Sequence, residues 1–268
     1  MPSKPLNRAT VLTFSCLAVL MSAGCRHVPS ATYEFGRSVP AAADPRLEPD
    51  ESGLMLGELD RSGRALSALA VWSPQPRTRI YRRFQDGPDQ RVFRTSRPVG
   101  VGDQRQNMIE VRAASEETPG TRTLLALTGD GVFTLRNDSG GVSSVFDPGA
   151  LFLPTELQSG GVAERSFDVR SSGSLIGEDS AGSGVVRIEG MGRQPIGTPA
   201  GLFEAFVLET ELAMTVGAAR ILFSRRLWID DAFGLVAEIG RDRVTVFGVP
   251  VRTREWVSVA EGEDDRRR

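Results

Sequence analysis

Thiol and imidazole chemistry in this chain rests on two cysteines and one histidine. Cys25 and His27 share the stretch LMSAGCRH at 20–27, and Cys16 lies a few residues upstream in an apolar run. Catalytic or zinc-binding histidines need a packed scaffold that fixes their geometry. His27 has no such surroundings, because the residues after it, RHVPSATYEFGRSVPAAADPRLEPD at 26–50, are rich in proline and small side chains and show no periodicity. The composition around His27 therefore argues against a catalytic or metal-binding role for it.

The residues before Cys25 indicate its role. Lys4 and Arg8 precede an uncharged run from Ala9 to Met21, which is followed by Ser22, Ala23 and Gly24. A basic start, a short apolar core and a small-residue end form a secretory signal peptide, and the core is shorter than the ~20 residues of a membrane-spanning helix. With the cysteine directly after Ser-Ala-Gly, the segment resembles a bacterial lipoprotein signal. Ser22 stands where that motif usually carries an aliphatic residue. The resemblance implies cleavage after Gly24 and diacylglycerol on the Cys25 thiol, with the lipid anchor holding the protein to a membrane. Arg26 after the anchor, by resemblance to the enterobacterial sorting rule, implies the outer membrane with the body facing the periplasm.

Loss of the leader would leave no free thiol and no disulfide. Lys4, the only lysine, would go with it. P-loop, Schiff-base and Ser-Lys chemistry are excluded, as are Ser-His-Asp and Cys-His catalysis and Cys/His zinc sites. Gly100-Val101-Gly102 lacks the third glycine of a dinucleotide loop, so no cofactor is expected. Carboxylate chemistry of the glycosidase type survives, but the acids carry no signature. The chain reads as a non-enzyme. Without Lys4 and Arg8, 30 basic residues face 34 acidic ones, which argues against a nucleic-acid partner.

The body is β in texture. RIYRRF (79–84), RVFRTS (91–96), NMIEVRA (107–113), RTLLALT (122–128) and GVFTLR (131–136) are short runs separated by turn residues. VVRIEG (185–190), FEAFVLETEL (203–212), RILFSRRLWI (220–229), LVAEI (235–239), RVTVFG (243–248) and VRTREWVSV (251–259) continue the pattern. The last alternates, with Val257 and Val259 on one face and Trp256 and Ser258 on the other. A helix is expected at 62–72, where Leu66, Leu69 and Ala70 share a face. The organisation expected is a leader at 1–24, a lipidated tether at 25–50, one β-rich domain at 51–260 and a charged tail at 261–268.

GTPAGLFEAFVLE (197–209), WIDDAFGLV (228–236) and LFLPTELQSGG (151–161) stand in an order that resembles a bacterial family of exported domains of unknown function. That family is similar to the lipoprotein-localisation carriers and receptors. The resemblance spans about residues 130–260 and implies a mainly β fold, a single curved antiparallel sheet or open half-barrel with one or two short helices. It also implies an apolar cavity for an acyl chain or another lipoprotein, for which Phe206, Leu208, Leu212, Leu222 and Trp228 are the candidates. The alternative is an envelope interaction or assembly module with no small ligand. In FEAFVLETEL, Phe203, Ala205 and Val207 point one way while Phe206, Leu208 and Leu212 point the other, so both faces should be covered. Gly201 and Gly234 suit positive-φ turns. Arg79 and Arg83, alternating with Tyr81, offer a basic stripe for anionic lipid head groups or polysaccharide; the alternative is a solvated face balanced by Asp86 and Asp89.

Overall fold

The computed structural model describes residues 52–68, 76–85, 89–99, 108–115, 120–173 and 179–263. The leader, Cys25, the tether and the 264–268 end of the tail lie outside these. The described residues contain fifteen strands and no α-helix. In chain order they are β1 (Met55–Leu56), β2 (Leu66–Ser67), β3 (Arg77–Gln85), β4 (Gln90–Pro98) and β5 (Met108–Ser115). Then come β6 (Thr121–Thr128), β7 (Gly131–Ser139), β8 (Val142–Pro154), β9 (Glu156–Leu157) and β10 (Val162–Gly173). The last five are β11 (Ser180–Thr198), β12 (Gly201–Val216), β13 (Ala219–Asp230), β14 (Gly234–Val246) and β15 (Val249–Glu263).

Twelve of these close into an antiparallel barrel in the order β11-β10-β8-β7-β6-β5-β4-β3-β15-β14-β13-β12, with β12 pairing back onto β11. The expected open half-barrel with short helices is therefore wrong. Two strands not read from the sequence complete the ring. β8 hides its strand character behind Asp147-Pro148-Gly149, which interrupts its pairing with β7. β10 is mostly polar, although Phe167, Val169 and Ser171 alternate as its buried face. β11 is long enough to pair with β12 from Gly182 to Thr198 while offering Ser180–Glu189 to β10, so no open edge remains over that span.

The segment expected to be helical at 62–72 instead makes a turn at 61–62 and then β2, where Leu66 pairs with Leu157 of β9; residues 69–72 lie outside the described set. This small pair forms a floor across one end of the barrel. There Leu66, Leu153, Leu157, Ile188, Phe206 and Leu208 are packed out of contact with water.

The outer face has its own core. Leu54 and Leu56 lie over Ile196, Ala205, Val207, Trp228, Ala237 and Val259, and β1 extends the sheet beside Ile196 and Gly197. Buried Arg193 fastens this cover: its Nε donates to the Arg64 carbonyl at 2.9 Å and its Nη2 to Asp231 Oδ2 at 3.0 Å. Gly201 and Gly234 hold φ of 138° and 84°, as turns at the ends of β12 and β14 require.

Candidate functional site

Because side chains alternate along each strand, one face of every barrel strand looks into the lumen. On β12 these residues are Phe206, Leu208, Thr210, Leu212 and Met214; on β13 they are Ile221, Phe223, Arg225, Leu227 and Ile229. Above the floor the lumen holds a cavity of about 330 Å³, within the range of small-molecule sites. Its apolar wall includes Ile109, Val111, Leu125, Phe146, Leu212 and Met214.

The opposite wall is cationic. Among the described residues, Arg79, Arg94 and Arg225 line it with a single carboxylate, Glu238. Arg79 and Arg94 are direct cross-strand partners on β3 and β4, a like-charge pairing that costs stability. Arg94 Nη2 and Arg225 Nη1 each stand 3.6 Å from a different Glu238 oxygen, close enough to pair in charge but too far for a hydrogen bond. Burial alone would push the Glu238 carboxyl up, but Arg225, Arg94 and Arg83 outweigh it and hold the group below the ordinary glutamate range. Arg83 sits nearby over the Trp256 ring at 5.7 Å. Burial, reinforced by Arg94, Arg225 and Arg254 and opposed by Glu238, draws its guanidinium below the ordinary arginine range. Trp256 fits because Gly240 lies opposite; a Cβ at that position would come within 2.3 Å of the indole. Tyr81 is buried beside Arg94 and donates its hydroxyl to the Leu235 carbonyl at 2.8 Å.

The five apolar candidates from the sequence divide between the two faces. Phe206 and Leu208 belong to the floor and Leu212 to the cavity wall. Leu222 alternates with luminal Ile221 and Phe223 and so faces outward. Trp228 is buried in the outer core, with its Nε1–H donating to Gln194 Oε1 at 2.9 Å. Arg79 and Arg83 do not form an outward stripe: both point inward, Arg79 with its guanidinium 4.9 Å from the Phe233 ring centre. The outward arginine on this strand is Arg82, 3.5 Å from Asp89; Asp86 lies outside the described residues.

Sequence reasoning missed Arg94, Arg225 and Glu238. The signal was the register: Arg225 alternates with Phe223 and Leu227, which marks a charge on an apolar face. A wider, open depression of about 930 Å³ beside the floor is lined largely by polar residues, among them Arg64 and Asp231, which pair with each other. Among the described residues no group of three or more His, Cys, Asp or Glu is placed to hold a metal ion.

The arrangement defines a closed antiparallel β-barrel with a floor at one end and a lumen that is apolar on one wall and cationic on the other. No family model and no curated protein matches the sequence. Among solved structures, the chain is similar to the hypothetical lipoprotein YmcC from Escherichia coli, with a TM-score of 0.39 and 10% identity over 72% of this chain and 90% of that one. A protein from Parabacteroides distasonis described as a lipoprotein gives 0.38 and 13% over 73% and 98%. A protein from Bacteroides fragilis described as exported, with a YmcC-like fold, gives 0.40 and 11% over 72% and 97%.

Proposed function

We propose that this protein is a non-enzymatic envelope lipoprotein, anchored through Cys25 to the outer membrane on its periplasmic side, whose barrel lumen binds the apolar chain of a lipid or lipoprotein. The observation that carries the binding reading is the 330 Å³ luminal cavity walled by Ile109, Val111, Leu125, Phe146, Leu212 and Met214. Most small barrels fill the interior with side chains, and a barrel that leaves apolar space can hold one small ligand. Each methylene taken from water into such a space contributes about 0.8 kcal/mol. The anchoring reading rests on the leader and the cysteine that follows it.

Two experiments test the two parts. Metabolic labelling with a fatty acid should mark the wild-type protein and leave Cys25→Ala unmarked; equal labelling of both removes the anchor. The full chain carrying Cys25→Ala should bind the neutral dye Nile red saturably. Leu212→Asp, on the cavity wall, should abolish that binding, whereas Leu222→Asp, on the outer face, should not. Ala113→Phe, which fills the cavity without adding charge, should also block the dye while the β circular dichroism spectrum persists. Dye binding indifferent to Ala113→Phe would place the apolar site elsewhere.

A further inference from the structure

Among the described residues, the cavity lining carries more positive charge than it balances. Three arginines and one carboxylate line the cavity, and the nearest other acid to Arg79 is Glu263, whose Oε1 lies 3.5 Å from Arg79 Nε. Charges taken out of water need partners, and an uncompensated excess is costly. Here the excess is gathered on one wall, and Arg94 and Arg225 each approach Glu238 no closer than 3.6 Å. Unpartnered donors in the lining point to the same need. Thr210, the direct cross-strand partner of Arg225, lines the cavity with a buried Oγ1 that has no hydrogen-bond partner among the described residues. The buried Nε of Arg79, which also lines the cavity, is likewise without a hydrogen bond among the described residues.

We propose that the chain held in the lumen carries an anionic oxygen head, seated against Arg94, Arg225 and Arg79 with Thr210 as a further donor, while its aliphatic part lies along the Leu212 wall. This rests on the lumen-binding reading above and narrows it to anionic amphiphiles. Guanidinium groups match carboxylate and phosphate oxygens alike, with charge-assisted hydrogen bonds about twice as strong as neutral ones. A fatty-acid carboxylate and a lipid phosphate therefore share the chemistry. The head would supply the counter-charge that Glu238 and Glu263 do not, and an uncharged ester of the same chain would leave the arginines as they are.

The test is a competition in the full chain carrying Cys25→Ala, with palmitate, hexadecyl phosphate and methyl palmitate displacing Nile red. At least one acid should bind about tenfold or more tightly than methyl palmitate, and the tighter acid names the head. The double variant Arg94→Gln, Arg225→Gln should bring the acid-to-ester ratio toward one. Arg94→Lys, Arg225→Lys, which keeps the charge, should retain part of the ratio and guards against simple misfolding. Arg97→Gln, on the outer face, should leave the ratio unchanged. Equal binding of all three compounds overturns the head-group assignment and leaves the lumen reading standing. Binding of none of them overturns both.

Discussion

Two carboxylates in this barrel are each surrounded by three arginines, and they are built to opposite ends. Glu110, on the outer face of β5, is wholly shielded from water by Arg97, Arg112 and Arg122. Arg112 Nε donates to its Oε1 at 2.6 Å and Arg97 Nη2 reaches the same oxygen at 2.8 Å, with Arg122 hydrogen-bonded to the other oxygen. All three arginines keep about half of their side-chain surface in water, at 48, 53 and 54%. Glu238 in the lumen has Arg94 and Arg225 standing off at 3.6 Å, with only 29 and 35% exposure. The outer cluster is a saturated clamp across β4, β5 and β6 whose surplus charge water screens. The inner cluster is loosely engaged and less hydrated, which is why the proposed head group is placed there. Arginines around an acid do not by themselves define a site; hydration and distance separate the two cases.

The comparison can be broken most severely at Glu238. Glu238→Gln leaves Arg83, Arg94 and Arg225 without their buried counter-charge and should cost about 3–5 kcal/mol, read from urea unfolding. Palmitate should restore more stability to this variant than it adds to wild type, and equal gains would count against a luminal head-group site. Both carboxyls are held below the ordinary glutamate range, Glu110 because its arginine hydrogen bonds outweigh the burial that would push it up. Their stabilisation is therefore fully present above the unfolded-state value and is lost as pH falls through the depressed folded values. Acid unfolding curves should show this, with Glu238→Gln flattening the slope on the acid side; an unchanged slope would show that Glu238 does not titrate with folding.

Gly240→Val removes the space that Trp256 occupies and should cost about 1–3 kcal/mol through overpacking, with changed Trp fluorescence; an unaltered melting temperature would contradict the packing. Glu110→Gln should cost less than Glu238→Gln, about 1–2 kcal/mol, because its half-exposed arginines can turn to water. Palmitate should not rescue it. Trp228→Phe loses the bond to Gln194 and part of the packing in the outer core, for about 1–2 kcal/mol in thermal unfolding.

Much of this is legible in the sequence. The opposed faces of 203–212 follow from period-2 alternation, and they separate Phe206, Leu208 and Leu212 from Ala205 and Val207 as the barrel does. Trp256 and Ser258 likewise oppose Val257 and Val259. Closure was not legible, because it depends on β11 pairing with different neighbours along its length and on two strands with weak signals. The direction of Arg79 and Arg83 was not legible either. Alternation assigns residues to two faces without saying which face is inside, and a charged face is ordinarily wet. Only the closure of the ring turned that face inward. The floor escaped for a related reason: Leu66 reads as part of a helical pattern until β9 is there to pair with it.

The central claim, that the lumen holds a lipid chain, is tested most directly by native mass spectrometry of the full chain carrying Cys25→Ala, extracted gently from cells. The account predicts one lipid-sized mass bound per protein, absent from the Ala113→Phe and Leu212→Asp variants and retained by Leu222→Asp and Arg97→Gln. A bare protein mass, or an adduct that survives Ala113→Phe, would contradict it.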